Sequence, residues 1–525
     1  MIARAPVPLV LFALLAPAQE WTNSGGNARR NGLSPEFGPL QPQVLWNSAP
    51  GSIIAWQPIV AEGLVFAVRQ TGFPPGGEPG GSPVFALDLD TGGIAWTVNV
   101  PYAFGDWTTW LLGYSDGKVY ASRAGNGASV QAQVHAYDAA TGAVAWTSVD
   151  AIDAGAYDGV VFAPDGDLIV ASFRTIWRIR ASDGTTAWTA SRLGSVSGNC
   201  GAAVFGDAVY VADAAPGGNV IKRYDLATGA FRYQGPLMPG FLSQHTPMVG
   251  ADGTIYYNRA QNNATVDFFY AFDDDGSAIT QRWSAPSMPG AGAEYGVGPD
   301  GSVYMVAPGE ILTRRDAATG AVLDTWPTAL GASTTRFAID ADGRVFVSNG
   351  GFATGTLFSF EADLTPRWSL PVPNINIGGP CLARDGTLVV AGVGGNVTAL
   401  RTPSPWTQLG GGIAGAGGVP ALRGRGSLTV GNTVTLTTSG GPAGGFSWLI
   451  VGLSAVNVPA FGGTLVPSPD LVEFVPLDPA GGSEVAFPWF AGVAVGTPLW
   501  WQVAILDPAA PFGVAATDAL RSAAN

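Results

Sequence analysis

Residues that could carry acid–base, nucleophilic or metal chemistry are scarce in this 525-residue chain. It has two histidines, His135 and His245, and two cysteines, Cys200 and Cys381. The histidines are too far apart for a His-x-x-x-His zinc motif, and neither lies near a nucleophile motif. A Ser-His-Asp triad could use only one of these two histidines. The sequence therefore predicts no catalytic residue and no metal ligand.

One acidic segment has the composition of a calcium loop. Residues 273–276 read Asp-Asp-Asp-Gly, and clustered carboxylates are ligands that Ca²⁺ prefers. The segment stands where an internal repeat of the chain has a turn, so a plain turn is favoured over a Ca²⁺ site. His135 lies in a repeat strand where other copies carry Phe85 or Trp177. We interpret it as a strand residue rather than a ligand.

The internal repeat organises the chain up to residue 400. Each copy has a β-rich run, an Asp-x-x-Thr-Gly turn and an apolar run that closes on an aromatic residue. The Asp carboxylate is predicted to accept backbone N–H groups across its turn, and the Gly to take the left-handed conformation. The aromatic residue is predicted to pack on a neighbouring repeat. The clearest copies close on Trp96, Trp146, Tyr233 and Trp326.

A second turn recurs in phase with the first. Asp-Gly dipeptides such as Asp116-Gly117 and Asp300-Gly301 separate apolar runs, and they are typical of tight hairpins because these turns need positive φ. Each repeat thus predicts four antiparallel strands at a period of roughly 50 residues, as in a propeller blade. Counting these turns along the chain predicts eight blades.

The predicted fold class is all-β, with an eight-bladed β-propeller followed by a small C-terminal β-sandwich. The propeller takes residues 19–401, with 21–46 helping to close the ring. A Gly/Pro-rich linker takes residues 402–426, and short alternating strands over 427–525 predict the sandwich.

Two segments resemble pyrroloquinoline-quinone (PQQ) type propellers. AYDAATGAVAW at 136–146 is similar to their blade repeat, and WTNSGGNARRNGLSPEFGPLQPQVLW at 21–46 resembles the beginning of many secreted members. The resemblance covers residues 21–401 and implies the fold. The superfamily includes quinoprotein alcohol dehydrogenases, which hold PQQ with Ca²⁺ and a catalytic carboxylate at one end of the propeller axis. It also includes cofactor-free propellers such as the outer-membrane assembly factor of bacterial β-barrels.

The cysteines depart from the dehydrogenase pattern. Many of those enzymes stack a disulfide between adjacent cysteines on the quinone, whereas Cys200 and Cys381 are far apart in this sequence. The repeat places them on inner strands of the fourth and eighth blades, beyond disulfide reach. We interpret both as small buried apolar residues.

A ring of residues is the candidate ligand site. One member precedes each inner strand, so the repeat register brings them to one mouth of the central channel. Their aromatic and polar character suits a neutral ligand or a peptide; the alternative is that they plug the channel. We expect them to lie at an edge, so that replacing them weakens binding, whereas replacing Trp146 destabilises the fold. The candidate binding residues are Trp56, Trp110, Tyr157, His245 and Arg336.

The N-terminus predicts export. Arg4, the apolar run Val7–Leu15 and Ala16-Pro17-Ala18 form a signal-peptide pattern over residues 1–18. The alternative, a membrane anchor, is disfavoured because the run is too short to span a bilayer. We expect a secreted or cell-surface protein, with the periplasm also open. The formal net charge of -14 and the lack of basic patches exclude nucleic acid as a partner.

The C-terminal segment LWWQVAILDPAAPFGVAATDALR (499–521) resembles a module on secreted proteins of some environmental bacteria. Attachment or sorting is the role we expect for it. Trp500-Trp501 could form a carbohydrate-binding platform, although packing in the core and sheet is favoured.

The sequence favours a secreted, monomeric, non-enzymatic propeller that binds a protein or glycan at its channel mouth. It has no predicted cofactor and no predicted transmembrane segment, and enzymatic activity is left open. The alternative is a PQQ-dependent oxidoreductase that uses PQQ with Ca²⁺.

Overall fold

The fold is that of a computed structural model. It describes residues 20–524 except for 49–56, 69–81, 101–105, 126–130, 154–159, 173, 193–200, 240–245, 260–266, 289–294, 331–335, 350–353, 374–378, 392–395, 403–404 and 427. The described residues form strands, one 3₁₀ turn at Pro511–Gly513 and no α-helix. None of them forms a helix long and apolar enough to cross a membrane. The all-β prediction is confirmed. The predicted signal peptide lies outside the described residues.

The chain divides into two compact units, of which one is Gln19–Arg401 and the other contains Thr402–Asn525. In the first unit, the described strands form eight antiparallel sheets, seven of four strands and one of five, and seven of the eight follow chain order. The eighth sheet takes its outermost strand, β1 (Val44–Ser48), from near the N-terminus.

Sheets 1 to 4 have the following strands. They are β2 (Ile59–Ala61), β3 (Leu64–Val68), β4 (Ser82–Asp88) and β5 (Ile94–Val100) in sheet 1; β6 (Asp106–Ser115), β7 (Lys118–Gly125), β8 (Gln131–Asp138) and β9 (Val144–Asp153) in sheet 2; β10 (Val161–Phe162), β11 (Leu168–Ala171), β12 (Thr175–Ile179) and β13 (Thr186–Ser191) in sheet 3; β14 (Ala202–Phe205), β15 (Ala208–Ala215), β16 (Gly218–Asp225) and β17 (Phe231–Gln234) in sheet 4, where β18 (Met238–Pro239) also pairs with β16.

Sheets 5 to 8 repeat the same order. Their strands are β19 (Met248–Val249), β20 (Ile255–Arg259), β21 (Asp267–Asp274) and β22 (Ile279–Ser287) in sheet 5; β23 (Tyr295–Val297), β24 (Val303–Ala307), β25 (Ile311–Arg315) and β26 (Val322–Ala329) in sheet 6; β27 (Ala338–Ile339), β28 (Val345–Asn349), β29 (Thr354–Phe360) and β30 (Pro366–Pro373) in sheet 7; β31 (Gly379–Leu382), β32 (Leu388–Ala391), β33 (Val397–Leu400) and β1 in sheet 8.

The Asp-x-x-Thr-Gly turns have the predicted geometry. In sheet 2, Asp138 Oδ1 accepts hydrogen bonds from the Thr141 backbone N–H at 2.9 Å and the Thr141 hydroxyl at 2.7 Å. The glycine that follows, Gly142, has φ 72°, where a side chain would be strained. Each turn therefore holds its own shape through its Asp, Thr and Gly.

Neighbouring sheets are joined by tryptophans that pack on these turns. Trp146 donates from Nε1 to the carbonyl of Ala181 at 2.9 Å, and a Cβ added to Gly184 would lie 2.5 Å from the Trp146 ring. The glycine is thus needed both for its positive φ and for the close approach of the indole. The prediction that the closing aromatic packs on a neighbouring repeat is confirmed. The tryptophans with this indole bond to the next sheet are Trp46, Trp96, Trp146, Trp188 and Trp283.

Residues 21–38, here called the axial segment, run along the innermost strands. An innermost strand has one backbone edge with no neighbouring strand, and such an edge needs hydrogen-bond partners when it is buried. The axial segment supplies them one sheet after another, at N···O distances of 2.7–3.1 Å. The bonded pairs are Trp21 with Val60, Thr22 with Tyr114, Asn23 with Val160, Ala28 with Val204, Arg29 with Val249, Asn31 with Val297 and Gly32 with Ile339.

The C-terminal unit has three sheets among its described residues. Their strands are β34 (Trp406–Gly410), β35 (Ala421–Arg425), β36 (Thr433–Ser439), β37 (Phe446–Gly452), β38 (Ala455–Ala460), β39 (Gly463–Pro467), β40 (Leu471–Pro476), β41 (Ser483–Pro488), β42 (Pro498–Leu506), β43 (Val514–Ala516) and β44 (Ala519–Ala523). One sheet has the order β34-β44-β42-β37-β40 with β43 on β42, the second is β35-β36-β41, and β38-β39 is a hairpin.

The structure differs from the linker predicted over 402–426. Strand β34 pairs with β44, and β35 pairs with β36, so this stretch contributes to both larger sheets of the unit. Its glycines obscured two short strands that tertiary pairing stabilises. In the same unit Trp501 is buried and donates to Ser522 Oγ at 2.9 Å, whereas Trp500 is half-buried.

Candidate functional site

The structure describes two of the five candidate binding residues. Trp56, Tyr157 and His245 lie outside the described residues. Trp110 and Arg336 are described, and their exposed fractions are 0% and 8%. Both are therefore enclosed rather than presented to solvent.

Trp110 lies in a hydrophobic core between sheets. Its neighbours in this cluster include Phe66 of sheet 1 and Leu168 of sheet 3. The physical reason is that an innermost strand turns its backbone edge to the axis and its side chains towards the adjacent sheets. The expectation that Trp110 sits at an exposed edge is wrong. Its indole N–H has no hydrogen-bond partner among the described residues.

Residues at the start of other innermost strands connect neighbouring sheets. Tyr295 donates its hydroxyl to the carbonyl of Thr246 at 2.5 Å, and the Gly201 backbone N–H donates to Thr246 Oγ1 at 2.7 Å. These bonds link the starts of sheets 4, 5 and 6. The starts of these innermost strands are consequently held together by the side chains of Tyr295 and Thr246.

Sequence reasoning missed a set of arginines. They lie at the ends of the sheets that carry the Asp-x-x-Thr-Gly turns, opposite to the starts of the innermost strands. Arg178 pairs with Asp167 of its own sheet at 2.9 Å and donates to the carbonyl of Leu226 in the next sheet at 2.9 Å. Arg401 likewise bonds Asp90 across the junction of sheets 8 and 1 at 2.9 Å. A recurring arginine late in the third strand of several repeats was the available signal. These arginines are structural links between sheets.

Four acidic side chains and one arginine lie close together near the start of the axial segment. Glu20 lies 3.8 Å from Arg384 and accepts the Glu62 backbone N–H at 3.2 Å. The Glu62 carboxylate in turn accepts the Tyr114 hydroxyl. Burial raises the pKa of Glu36 to about 8; Arg384 opposes this shift, while Asp385 and Glu20 add to it. Glu36 therefore holds a proton near neutral pH.

The remaining chemistry-bearing residues are engaged locally. The Asp275 carboxylate accepts two backbone N–H groups of its turn, from Ser277 and Ala278, each at 2.8 Å. His135 Nδ1 lies 3.1 Å from Thr147 Oγ1 on the neighbouring strand. Cys381 is fully buried, and burial raises the pKa of its thiol. Cys200 lies outside the described residues.

Comparisons with known proteins agree on the architecture. The family model described as outer membrane protein assembly factor BamB matches residues 80–323. The quinohemoprotein alcohol dehydrogenase from Comamonas testosteroni is similar in structure, with a TM-score of 0.52, 14% identity, and coverage of 75% of this chain and 83% of that one. The fold of the larger unit is similar to that of PQQ-like propellers. The resemblance to these propellers that was stated from the sequence is thereby confirmed.

Further PQQ-like propellers match less well. BamB from Moraxella catarrhalis has a TM-score of 0.47 at 15% identity, covering 68% of this chain and 98% of that one. A europium-containing methanol dehydrogenase has a TM-score of 0.39 at 12% identity, covering 75% of this chain and 90% of that one. No curated protein matches the sequence. At these identities the structural likeness establishes the fold alone.

The described residues include no cluster of side chains of the kind that would hold Ca²⁺ beside a quinone. A Ca²⁺-bound quinone needs several carboxylate or amide oxygens around the ion, and no group of three His, Cys, Asp or Glu side chains in the described ranges could hold a metal. Trp110, the described aromatic member of the candidate set, is closed off inside a core. It therefore presents no face on which a quinone ring could stack.

Glu36→Gln is expected to flatten the pH dependence of stability. In the unfolded chain a glutamate titrates near about 4.3, whereas burial raises the pKa of Glu36 in the folded protein to about 8. The folded protein therefore retains a proton that the unfolded chain releases between these two values. The Glu36 contribution is fully present below about pH 4.3 and falls by on the order of 3–5 kcal/mol as the pH rises to about 8.

Urea unfolding at a series of pH values measures this contribution. The difference in the free energy of unfolding between acidic and mildly alkaline pH should be smaller in Glu36→Gln than in the native chain. Glu473→Gln, which removes an exposed carboxyl of the C-terminal unit, is the control. Equal pH dependence in the native chain and Glu36→Gln would show that Glu36 does not titrate with folding.

Proposed function

We propose that the protein is an exported, non-enzymatic scaffold that binds a protein or glycan at one mouth of its channel. In this proposal the eight sheets are the blades of one ring, and the C-terminal unit is a β-sandwich that serves attachment or sorting. Residues 1–18 act as the signal peptide. The binding mouth is the end at which the chain enters each innermost strand.

The observation that carries the proposal is the course of the axial segment. Its backbone bonds fall on the later part of the innermost strands, as at Tyr114, Val204 and Ile339. That end of the channel is therefore filled by the chain itself. A ligand has access from the opposite end, where by the repeat register the residues preceding every inner strand converge. Binding at such a convergence suits a large partner, because many blades contribute contacts at once.

Charge supports a macromolecular rather than a small ionic ligand. Because Trp110 and Arg336 are enclosed, the proposal rests on Trp56, Tyr157 and His245, whose side chains are aromatic and carry no permanent charge. Aromatic side chains and arginine dominate the binding energy of protein interfaces because they bury a large area and keep a polar group for hydrogen bonding. The same side chains can stack on sugar rings. A protein or a glycan is accordingly the partner proposed.

Site-specific photocrosslinking tests the location of the mouth. A photoreactive phenylalanine analogue is placed at position 157 or 245, and at position 116 in a turn at the other end of sheet 2. Incubation with the native secretome should give crosslinked partner from positions 157 and 245 but not from 116. Tyr157→Ala should weaken the affinity of that partner by at least about 2 kcal/mol. Equal capture at position 116 would contradict the proposal.

Reconstitution with PQQ and Ca²⁺ tests the alternative function. The likeness to a dehydrogenase fold keeps a PQQ-dependent oxidoreductase as the second candidate. Quinone absorbance that stays with the protein through gel filtration, together with dye reduction in the presence of alcohols, would establish that function and remove the non-enzymatic one. We expect neither the absorbance nor the dye reduction.

A further inference from the structure

Most of the six-stranded sheet of the C-terminal unit is apolar on both faces; its charged residues are Glu473, opposite Leu449, and Arg521, opposite Trp500. Its inner face is buried through residues such as Leu449 and Trp501. On the outer face, Phe446 and Phe474 are 54% and 51% exposed, and Trp448 packs edge-on against Phe474 at 5.9 Å between ring centroids. Among the described residues of β37, β40 and β42, none on this outer face is charged. An antiparallel sheet with one wet face normally alternates apolar and polar residues, so this face has the composition of a covered one.

Two phenylalanines beside this face adopt unusual backbone conformations. Phe461 and Phe512 have φ of 49° and 59°, a region that bulky residues rarely enter. Phe461 occupies the turn between β38 and β39, where Asn or Gly is the usual choice. Both side chains are nevertheless exposed, by 56% and 81%. A strained backbone conformation at an exposed apolar residue indicates a role of that residue in binding rather than in folding.

An apolar pocket of about 80 Å³ lies next to Phe461 on the same face. Ile450 and Ala504 of the sheet form part of its lining. Gln502 also lines it, but its amide is already bonded: Nε2 donates to the Thr464 and Thr517 carbonyls, and Oε1 accepts from the Val466 N–H, all at 3.0 Å. A sugar or a charged group would therefore lose hydrogen bonds on entering. The pocket fits an apolar side chain.

We propose that this outer face pairs two copies of the chain about a twofold axis, with Phe512 of each copy entering the pocket of the other. A projecting side chain and a fitting pocket on one face are the requirement for such a self-complementary contact. With a net charge of -14, two copies repel each other over most of their surface. The part of the outer face formed by β37, β40 and β42 carries no charge and permits close approach, and Arg521 of β44, opposite Trp500 on the same face, is positive rather than negative. The dimer replaces the monomer expected from the sequence.

The exposed apolar area approaches that of a standard dimer interface. The four phenylalanines are each half-exposed or more, and a whole phenylalanine has roughly 200 Å² to bury, so each offers on the order of 100–160 Å². Val472 and Leu506, which are 50% and 43% exposed on the same face, extend it. Together these residues provide most of the about 800 Å² per partner found in interfaces of standard size.

Light scattering coupled to gel filtration, applied to the chain with both units, tests the proposal. The native chain should elute at twice the mass of one chain and dissociate on dilution. Phe512→Asp and Phe474→Asp should each raise the dimer dissociation constant by about thirty-fold or more. Phe231→Asp, at a position 53% exposed in the other unit, is the matched control and should leave it unchanged. Thermal melts of the variants check that the fold persists.

Several results would overturn the proposal. A native chain that stays monomeric at all concentrations would do so, as would a dimer that survives both Phe→Asp changes or dissociates equally in Phe231→Asp. Sedimentation with phosphatidylcholine vesicles is measured in parallel. A monomer that sediments with the vesicles through Phe512 would assign this face to a lipid surface and would also overturn the dimer.

Discussion

Trp110→Ala should lower the free energy of unfolding by roughly 3–5 kcal/mol, the cost of truncating a fully buried aromatic side chain. Trp110 is completely enclosed in a core that joins sheets 1, 2 and 3, so its removal leaves a cavity that those sheets cannot close independently. Urea or thermal unfolding of the variant measures this change. Trp110→Phe should cost much less, because the indole N–H makes no hydrogen bond to the described residues that would be lost.

Trp146→Ala provides the comparison. Trp146 is half-buried, and it contributes one hydrogen bond to Ala181 and contact with Gly184. A loss of roughly 1–3 kcal/mol is expected for this combination. The sequence predicted the opposite order for the two residues. A Trp110→Ala variant that melts with the native chain would restore the interpretation of Trp110 as an edge residue.

Gly32→Val should prevent the axial segment from packing against the innermost strands. Of the single changes proposed, it is expected to lower the free energy of unfolding the most. A Cβ at Gly32 would lie 2.6 Å from the carbonyl oxygen of Phe337, and the residue has φ 70°. The neighbouring bonds of the segment to Val297 and Ile339 would have to break to relieve the clash. We expect a loss of at least about 4 kcal/mol, from the backbone strain together with buried groups left unpaired.

Gly63→Val is the matched control for Gly32→Val. Gly63 has nearly the same φ, 75°, but its Cβ would meet nothing within 4 Å. It should therefore cost only about 1–2 kcal/mol, the penalty of the left-handed backbone. The denaturant midpoints of the two variants separate the cost of backbone strain from the cost of the clash with Phe337. If Gly63→Val were as destabilising as Gly32→Val, backbone strain alone would account for both, and the packing of the axial segment would have no part.

The repeat made most of the larger unit predictable. Asp138, Thr141 and Gly142 identify a turn because their hydrogen bonds are local, and Trp146 follows at a fixed distance. The course of residues 21–38 was harder to predict from the sequence, because Asn23 and Asn31 donate to the carbonyls of Val160 and Val249 far along the chain. No local pattern encodes such pairs.

The candidate site was predictable only in its position along the chain. The register located Trp110 before an inner strand, but it could not tell which way the side chain points. That direction depends on how sheets 1 and 3 pack against sheet 2. Strands β34 and β35 were missed for a related reason, because their short and glycine-rich sequences acquire strand structure only through pairing with β44 and β36.

The pairing of β1 with β33 has a consequence for biosynthesis. Thr398 bonds Asn47 across 351 residues, so the earliest part of the chain to be made must wait for nearly the last part of its unit. Sheets 1 to 7 can form as they emerge from the ribosome, but sheet 8 lacks its outer strand until the two ends of the unit meet. Such long-range closure slows folding. The larger unit therefore cannot complete its eighth sheet until its synthesis is nearly finished.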